Sequence, residues 1–122
     1  MGFEFEELSG RILEAAVAVH KALGPGFLES VYERAMAVAL NHRNIPFVVQ
    51  KEINIFFEGE NVGLHRLDLI VEDQIIVELK AVKELEDIHF AQLKSYLTAT
   101  RVRIGLLLNF NAPALVIKRI VN

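Results

Sequence analysis

The chain contains no cysteine, which excludes disulfides, zinc–thiolate centres and thiol nucleophiles. It also lacks any excess of positive charge. Thirteen Lys and Arg stand against sixteen Asp and Glu, for a formal net charge of −3 and a pI near 5.8. That balance excludes a polybasic nucleic-acid coat or membrane-surface binder, but not a local basic groove. No apolar run approaches the roughly 18 residues of a membrane span, and the longest, 35–40 and 104–108, are core-sized. The opening stretch Met-Gly-Phe-Glu-Phe-Glu-Glu is acidic where a secretory signal is basic. Repeats, linkers and low-complexity tracts are missing as well. The expectation is a soluble, cytoplasmic protein of one domain spanning residues 1–122, a compartment with which the absence of cysteine is compatible.

What is present is apolar. Hydrophobic residues make up 52% of the chain and mean hydropathy is +0.33, which excludes disorder. So much apolar material in so short a chain implies helices on both faces of a sheet, a buried oligomer interface, or both.

Periodicity divides the chain into elements. Leu8, Ile12, Ala15, Ala16, Val19, Ala22 and Leu23 recur at helical spacing, and Gly24-Pro25-Gly26 stops that helix. A second helix is predicted over about 28–41, apolar nearly all round in its C-terminal half and hence buried. From Phe47 the period becomes two. Phe47, Val49, Ile53, Ile55 and Phe57 fall on one face, with Gln50, Glu52, Asn54 and Glu58 on the other. A turn at 58–61 leads to a strand at 62–71, and Glu72-Asp73-Gln74 turns into a third strand at 75–80. A helix at about 86–98 follows, then a doubly covered strand at 104–108, a loop, and a last strand at 115–121. The predicted fold is α/β (α+β) in the order ααβββαββ, a mixed central sheet flanked by helices. Its strand–helix–strand step makes two strands parallel.

One hairpin concentrates chemistry. If Glu72, Asp73 and Gln74 form a three-residue loop, Val71 pairs with Ile75 and Asp68 lies opposite Glu78, with Leu67, Leu69 and Val71 on the other face. Opposed like charges destabilise a sheet, so two carboxylates on an otherwise apolar hairpin call for a compensator. Mg²⁺ suits them, because it takes oxygen ligands from one or two carboxylates plus water and phosphate. Lys80 shares their face, placed to hold and polarise an attacking water. The plainer alternative, an ion pair on a solvated face, fits poorly with Ile70 and Ile76 on that same face.

Asp68 followed ten residues on by Glu78-Leu79-Lys80 resembles the D…(D/E)xK signature of the PD-(D/E)xK nuclease superfamily. Gly26-Phe27-Leu28-Glu29-Ser30-Val31-Tyr32 matches the motif that names its GxxExxY family, and Val19 to Pro25 and His89 to Leu97 are similar too. The Pro of the superfamily name is absent before Asp68, where Leu67 stands. The resemblance implies a restriction-endonuclease-like core and Mg²⁺- or Mn²⁺-dependent cleavage of phosphodiesters in DNA, ahead of RNA. It implies Asp68, Glu78 and Glu29 as metal ligands and Lys80 as the group that orients water or stabilises developing charge. Gln92 and Tyr96 match a QxxxY element that helps place the metal site and nucleic acid, and Lys94 joins them as a nucleic-acid contact.

Plainer readings stand beside these. Glu29 in a first helical turn is also favoured by the macrodipole. His89, Gln92 and Tyr96 share a helix face that either overhangs the site or simply faces solvent. Tyr32 reads as a packed residue with a bonded hydroxyl, and His20 and His65 as structural. Lys83, Lys94, Arg101, Arg103, Lys118 and Arg119 make the second half the more basic. Gly24-Pro25-Gly26 lacks the spacing of a phosphate loop, and no Ser-His-Asp set can be read. The alternative to an enzyme is a catalytically silent nuclease-like binding or scaffold module. A homodimer is also expected, from the wide apolar stripe of the first helix and the apolar last strand.

Overall fold

The computed structural model describes residues 5–122, so the first four residues of the acidic opening stretch lie outside the described residues. Eight elements follow in the predicted order: α1 (Glu6–Leu23), α2 (Glu29–His42), β1 (Phe47–Phe57), β2 (Glu60–Val71), β3 (Ile75–Lys80), α3 (Asp87–Thr100), β4 (Ile104–Asn109) and β5 (Val116–Val121). The strands form one sheet in the order β1-β2-β3-β4-β5. The β3–β4 pair is parallel and every other pair antiparallel, so the sheet is mixed and the crossover through α3 makes the expected parallel step.

The helices cover the two faces unequally. Ile12, Ala15, Ala16 and Val19 of α1 and Tyr32, Met36 and Leu40 of α2 pack against Leu69, Val71, Val77, Leu79, Leu106 and Leu108. On the other face, Leu93 and Leu97 of α3 meet Leu67, Ile70, Ile76 and Leu107. β4 is buried along its whole length, as its unbroken apolar run requires. Gly105 lets α3 approach, since a Cβ there would stand 2.9 Å from Leu93 Cγ.

Four expectations are corrected. α2 is not buried all round, for Val38 is 54% exposed and only the Tyr32–Met36–Leu40 side faces the core. The β1–β2 turn is two residues rather than four. Glu58 and Gly59 both have positive φ, at 49° and 82°, the requirement of a type I′ hairpin turn, and Phe57 pairs with Glu60. The wide stripe of α1 is consumed within the chain, because its core-facing residues pack on the sheet, and so gives no support to a dimer.

The last correction concerns faces. Leu67 and Leu69 belong to opposite cores, although strict alternation puts them together. Phe47 and Ile53 divide in the same way. The cause is a local break where β1 passes Asp68: Gln50 takes φ 50° inside the strand, and the β2–β3 ladder ends at Leu69–Val77. Beyond that point β1 and β2 continue together, while β3 leads elsewhere.

Candidate active site

The three-residue loop forms as predicted, with Gln74 N–H donating to Val71 O at 2.9 Å and Val71 paired with Ile75. That register brings Asp68 level with Glu78. Where the backbone ladder stops, side chains replace it. Asp68 N–H donates to Glu78 Oε2 at 2.9 Å, and Leu79 N–H donates to Asp68 Oδ2 at 2.9 Å. Each acid is thus held by the strand that carries the other. The second oxygens, Asp68 Oδ1 and Glu78 Oε1, lie outside these bonds and reach solvent.

Glu78 is 5% exposed. Burial, and then the charge of Asp68, push its carboxyl up to about 8. Burial also raises Asp68, against the lowering effect of the Leu79 amide. Two acids so placed do not both ionise readily at neutral pH. Lys80, half-buried at the end of β3, eases both charges, yet no ion pair joins it to either acid among the described residues. β3 is fixed at its exit by Asn109, which is buried; its Oδ1 accepts from Val82 N–H and its Nδ2 donates to Val82 O.

Glu29 opens α2 within electrostatic range. Partial desolvation and then Asp68 raise its carboxyl, with Lys80 opposing. A helix dipole alone acts in the other direction, so burial and the neighbouring acid outweigh it. Tyr32 explains how this glutamate is presented. Its ring is fully buried and stacks on Phe110 at 4.6 Å. Its hydroxyl donates to Gly24 O at 2.6 Å and accepts from Phe27 N–H, and so ties down the Gly24–Gly26 loop. Gly26, at φ 110°, takes a conformation that other residues rarely adopt.

α3 contributes unevenly. Tyr96 faces the acids, and burial with the charges of Glu78 and Asp68 pushes its phenol up to about 12. His89 instead caps the helix, its Nδ1 accepting from Glu86 N–H at 2.9 Å, and is not part of an overhanging stripe. Gln92 is exposed and has no hydrogen-bond partner among the described residues, while exposed Lys94 lines a groove with Tyr96.

His65, read as structural from the sequence, lies beside the acids. Its ring stacks on Tyr96 at 3.9 Å, and burial holds it below its ordinary value against the charge of Asp68. It stands three residues before Asp68 in the same strand, and the break in alternation at Asp68 puts it on the side of α3. His20, by contrast, bonds Ala112 O at 2.8 Å and is structural as expected. The groove, about 1010 Å³, runs between the β1–β2 hairpin and α3.

Hard oxygen donors side by side fit a divalent cation. Asp68 and Glu78 are together, whereas Glu29 stands outside them: among the described residues no group of three or more His, Asp or Glu is gathered for a metal. No helix among the described residues is long and apolar enough to cross a membrane.

Comparison with known proteins finds the profile of the PD-(D/E)XK nuclease superfamily matching residues 6–120. No curated protein matches. The crystal structure of SSO0001 superposes with a TM-score of 0.57 at 20% identity, covering 98% of this chain. The chain spans 60% of the length of that structure, and the likeness is one of fold.

Proposed function

The chain belongs to the PD-(D/E)XK nuclease superfamily, whose members generally use divalent metals, and we propose that it is a Mg²⁺- or Mn²⁺-dependent phosphodiesterase acting on nucleic acid, DNA ahead of RNA, within the GxxExxY family. The observation that carries the reading is the reciprocal bonding of Asp68 and Glu78, which holds two carboxylates side by side with one oxygen each outside those bonds. In this proposal Asp68 and Glu78 would hold the ion, with Glu29 as the further carboxylate on that side. When bound, the ion supplies Lewis acidity toward the phosphate and lowers the pKa of its water.

The remaining steps belong to the chain. Lys80 orients the attacking water and eases the negative charge that develops on the phosphate. Asp68 and Glu78, both raised by burial, would have to be charged to hold a cation. Tyr96 and Lys94 contact the nucleic acid, with Gln92 at the margin of the site. A homodimer rests on one feature, the edge strand β5 with Ile117 and Val121 exposed.

A second reading is a catalytically silent nuclease-like module. The position of Glu29, outside any three-ligand group, favours it. A cleavage assay on single-stranded and duplex DNA and RNA with Mg²⁺, Mn²⁺ or EDTA decides between them. Metal-dependent cleavage that is lost in Lys80→Ala supports the enzyme. A folded protein that cuts no substrate with either ion leaves the silent module.

A further inference from the structure

The groove between the β1–β2 hairpin and α3 has a composition unlike the rest of the chain. Among the described residues no Asp or Glu lines it, although the chain carries sixteen acids. Lys94 of α3 and Arg101, the residue that caps its C-terminal end, supply two positive charges. The opposite wall carries Ile55, Phe56 and Leu64 of the hairpin beside the polar Asn54; Phe56 and Leu64 are 64% and 57% exposed, a good arrangement for flat rings. The inner end is bordered by the stacked His65 and Tyr96, both within reach of the acid pair's charge.

We infer that this groove is the track of an unpaired nucleic-acid strand leading to the acid pair, a substrate assignment that rests on the nuclease reading above. A duplex hides its base faces and presents phosphates, which would leave Phe56 and Leu64 without a role. An unpaired strand presents both: phosphates for Lys94 and Arg101, and π-faces for the apolar wall and the ring stack. The volume agrees. About 1010 Å³ sits at the top of the range of roughly 300–1,000 Å³ for small-ligand clefts, room for a few nucleotides of one strand. The approach is unobstructed on the helix side, where Ala91, Ser95 and Ala99 are small.

The test is fluorescence anisotropy of the whole chain in EDTA, with one labelled oligonucleotide offered as a single strand and as a blunt duplex. The single strand is expected to bind at least tenfold more tightly. Phe56→Ala, at an exposed position that leaves the cores intact, should weaken single-strand binding by roughly tenfold and leave duplex binding unchanged. The double variant Lys94→Ala with Arg101→Ala should reduce the dependence of log K on log salt by about 1.4, or about 0.7 for each phosphate no longer neutralised. Equal or tighter binding of duplex, or full single-strand affinity when Phe56→Ala, Lys94→Ala and Arg101→Ala are combined, overturns the inference. Failure of the nuclease reading looks different. Duplex cleavage that the groove variants leave untouched sinks the track and keeps the enzyme. Groove-dependent strand binding without cleavage under any metal sinks the enzyme and keeps the track.

Discussion

The amide of Asp68 donates to the carboxylate of Glu78 at 2.9 Å, so the strand carrying one acid positions the other where the ladder between them has ended. The arrangement is stable only if the repulsion of the pair is relieved, by a proton or by a cation. Mn²⁺ should therefore raise the thermal midpoint, by about 2.7 kcal/mol of stabilisation at an ion concentration of 100 times Kd. Asp68→Asn keeps an oxygen for the Leu79 amide but removes the charge. It should abolish the shift and raise the metal-free midpoint. An unchanged wild-type midpoint in millimolar Mn²⁺ would count decisively against the metal site.

Metal-free stability should fall as pH rises. Glu78 titrates near 8 in the folded chain against an ordinary 4.5, so between those values the folded state holds a proton that the unfolded state has lost. The contribution is complete below about 4.5 and is lost as pH passes about 8. His65, held low by burial, works in the opposite direction near its ordinary value. The informative quantity is thus the difference between wild type and Glu78→Gln, measured by denaturant unfolding in EDTA from pH 5 to 8. A difference that stays flat over this range rules out a proton held on Glu78.

Lys80→Ala should lower kcat by about 100-fold or more, the usual cost of removing a donor aimed at transition-state charge, while strand binding changes little. Single-turnover kinetics at saturating substrate separates the two. A loss confined to KM would reassign Lys80 to binding.

Tyr32→Phe removes a buried hydroxyl bonded to Gly24 O and Phe27 N–H, leaving both backbone groups without that partner. The expected cost is about 1–3 kcal/mol. A further fall in activity is expected under conditions where the variant is fully folded, because the same bonds fix the loop that presents Glu29. A variant as stable and active as wild type would show the loop to be held by other interactions.

Gly105→Ala tests how α3 is seated. The added Cβ meets Leu93 Cγ at 2.9 Å, and overpacking of that kind costs about 1–3 kcal/mol. Circular dichroism melts give the number. Leu93→Ala in the same chain should recover part of the loss at Gly105 while adding its own cavity.

Much of this was legible in the residues. The alternation of 69–71 and 75–80 and the short Glu72-Asp73-Gln74 loop set the register that brings Asp68 to Glu78, and helical spacing found the core side of α1. What escaped was geometry with no residue to signal it. Gln50 adopts φ 50° without being glycine, so nothing in the sequence announced that Leu67 and His65 turn toward α3 while Leu69 turns away. His89 deceives for the converse reason. Its spacing with Tyr96 is helical, but its position three residues after Glu86 makes it a capping partner first.

The ending of the β2–β3 ladder at Leu69 also divides the sheet into two parts that should differ in local stability. On one side lies a multi-stranded slab covered by helices. On the other, residues 51–66 form a ribbon of two strands tied to α3 by Ile53 and the His65–Tyr96 stack, and two-stranded ribbons are marginal in isolation. Amide hydrogen exchange should report two populations: slow protons in β3 and β4, which open only with the whole molecule, and faster ones along the ribbon, which opens on its own. The acid pair stands at the seam, with its carboxylates anchored where the ladder holds and one wall of the groove carried by the ribbon expected to exchange faster.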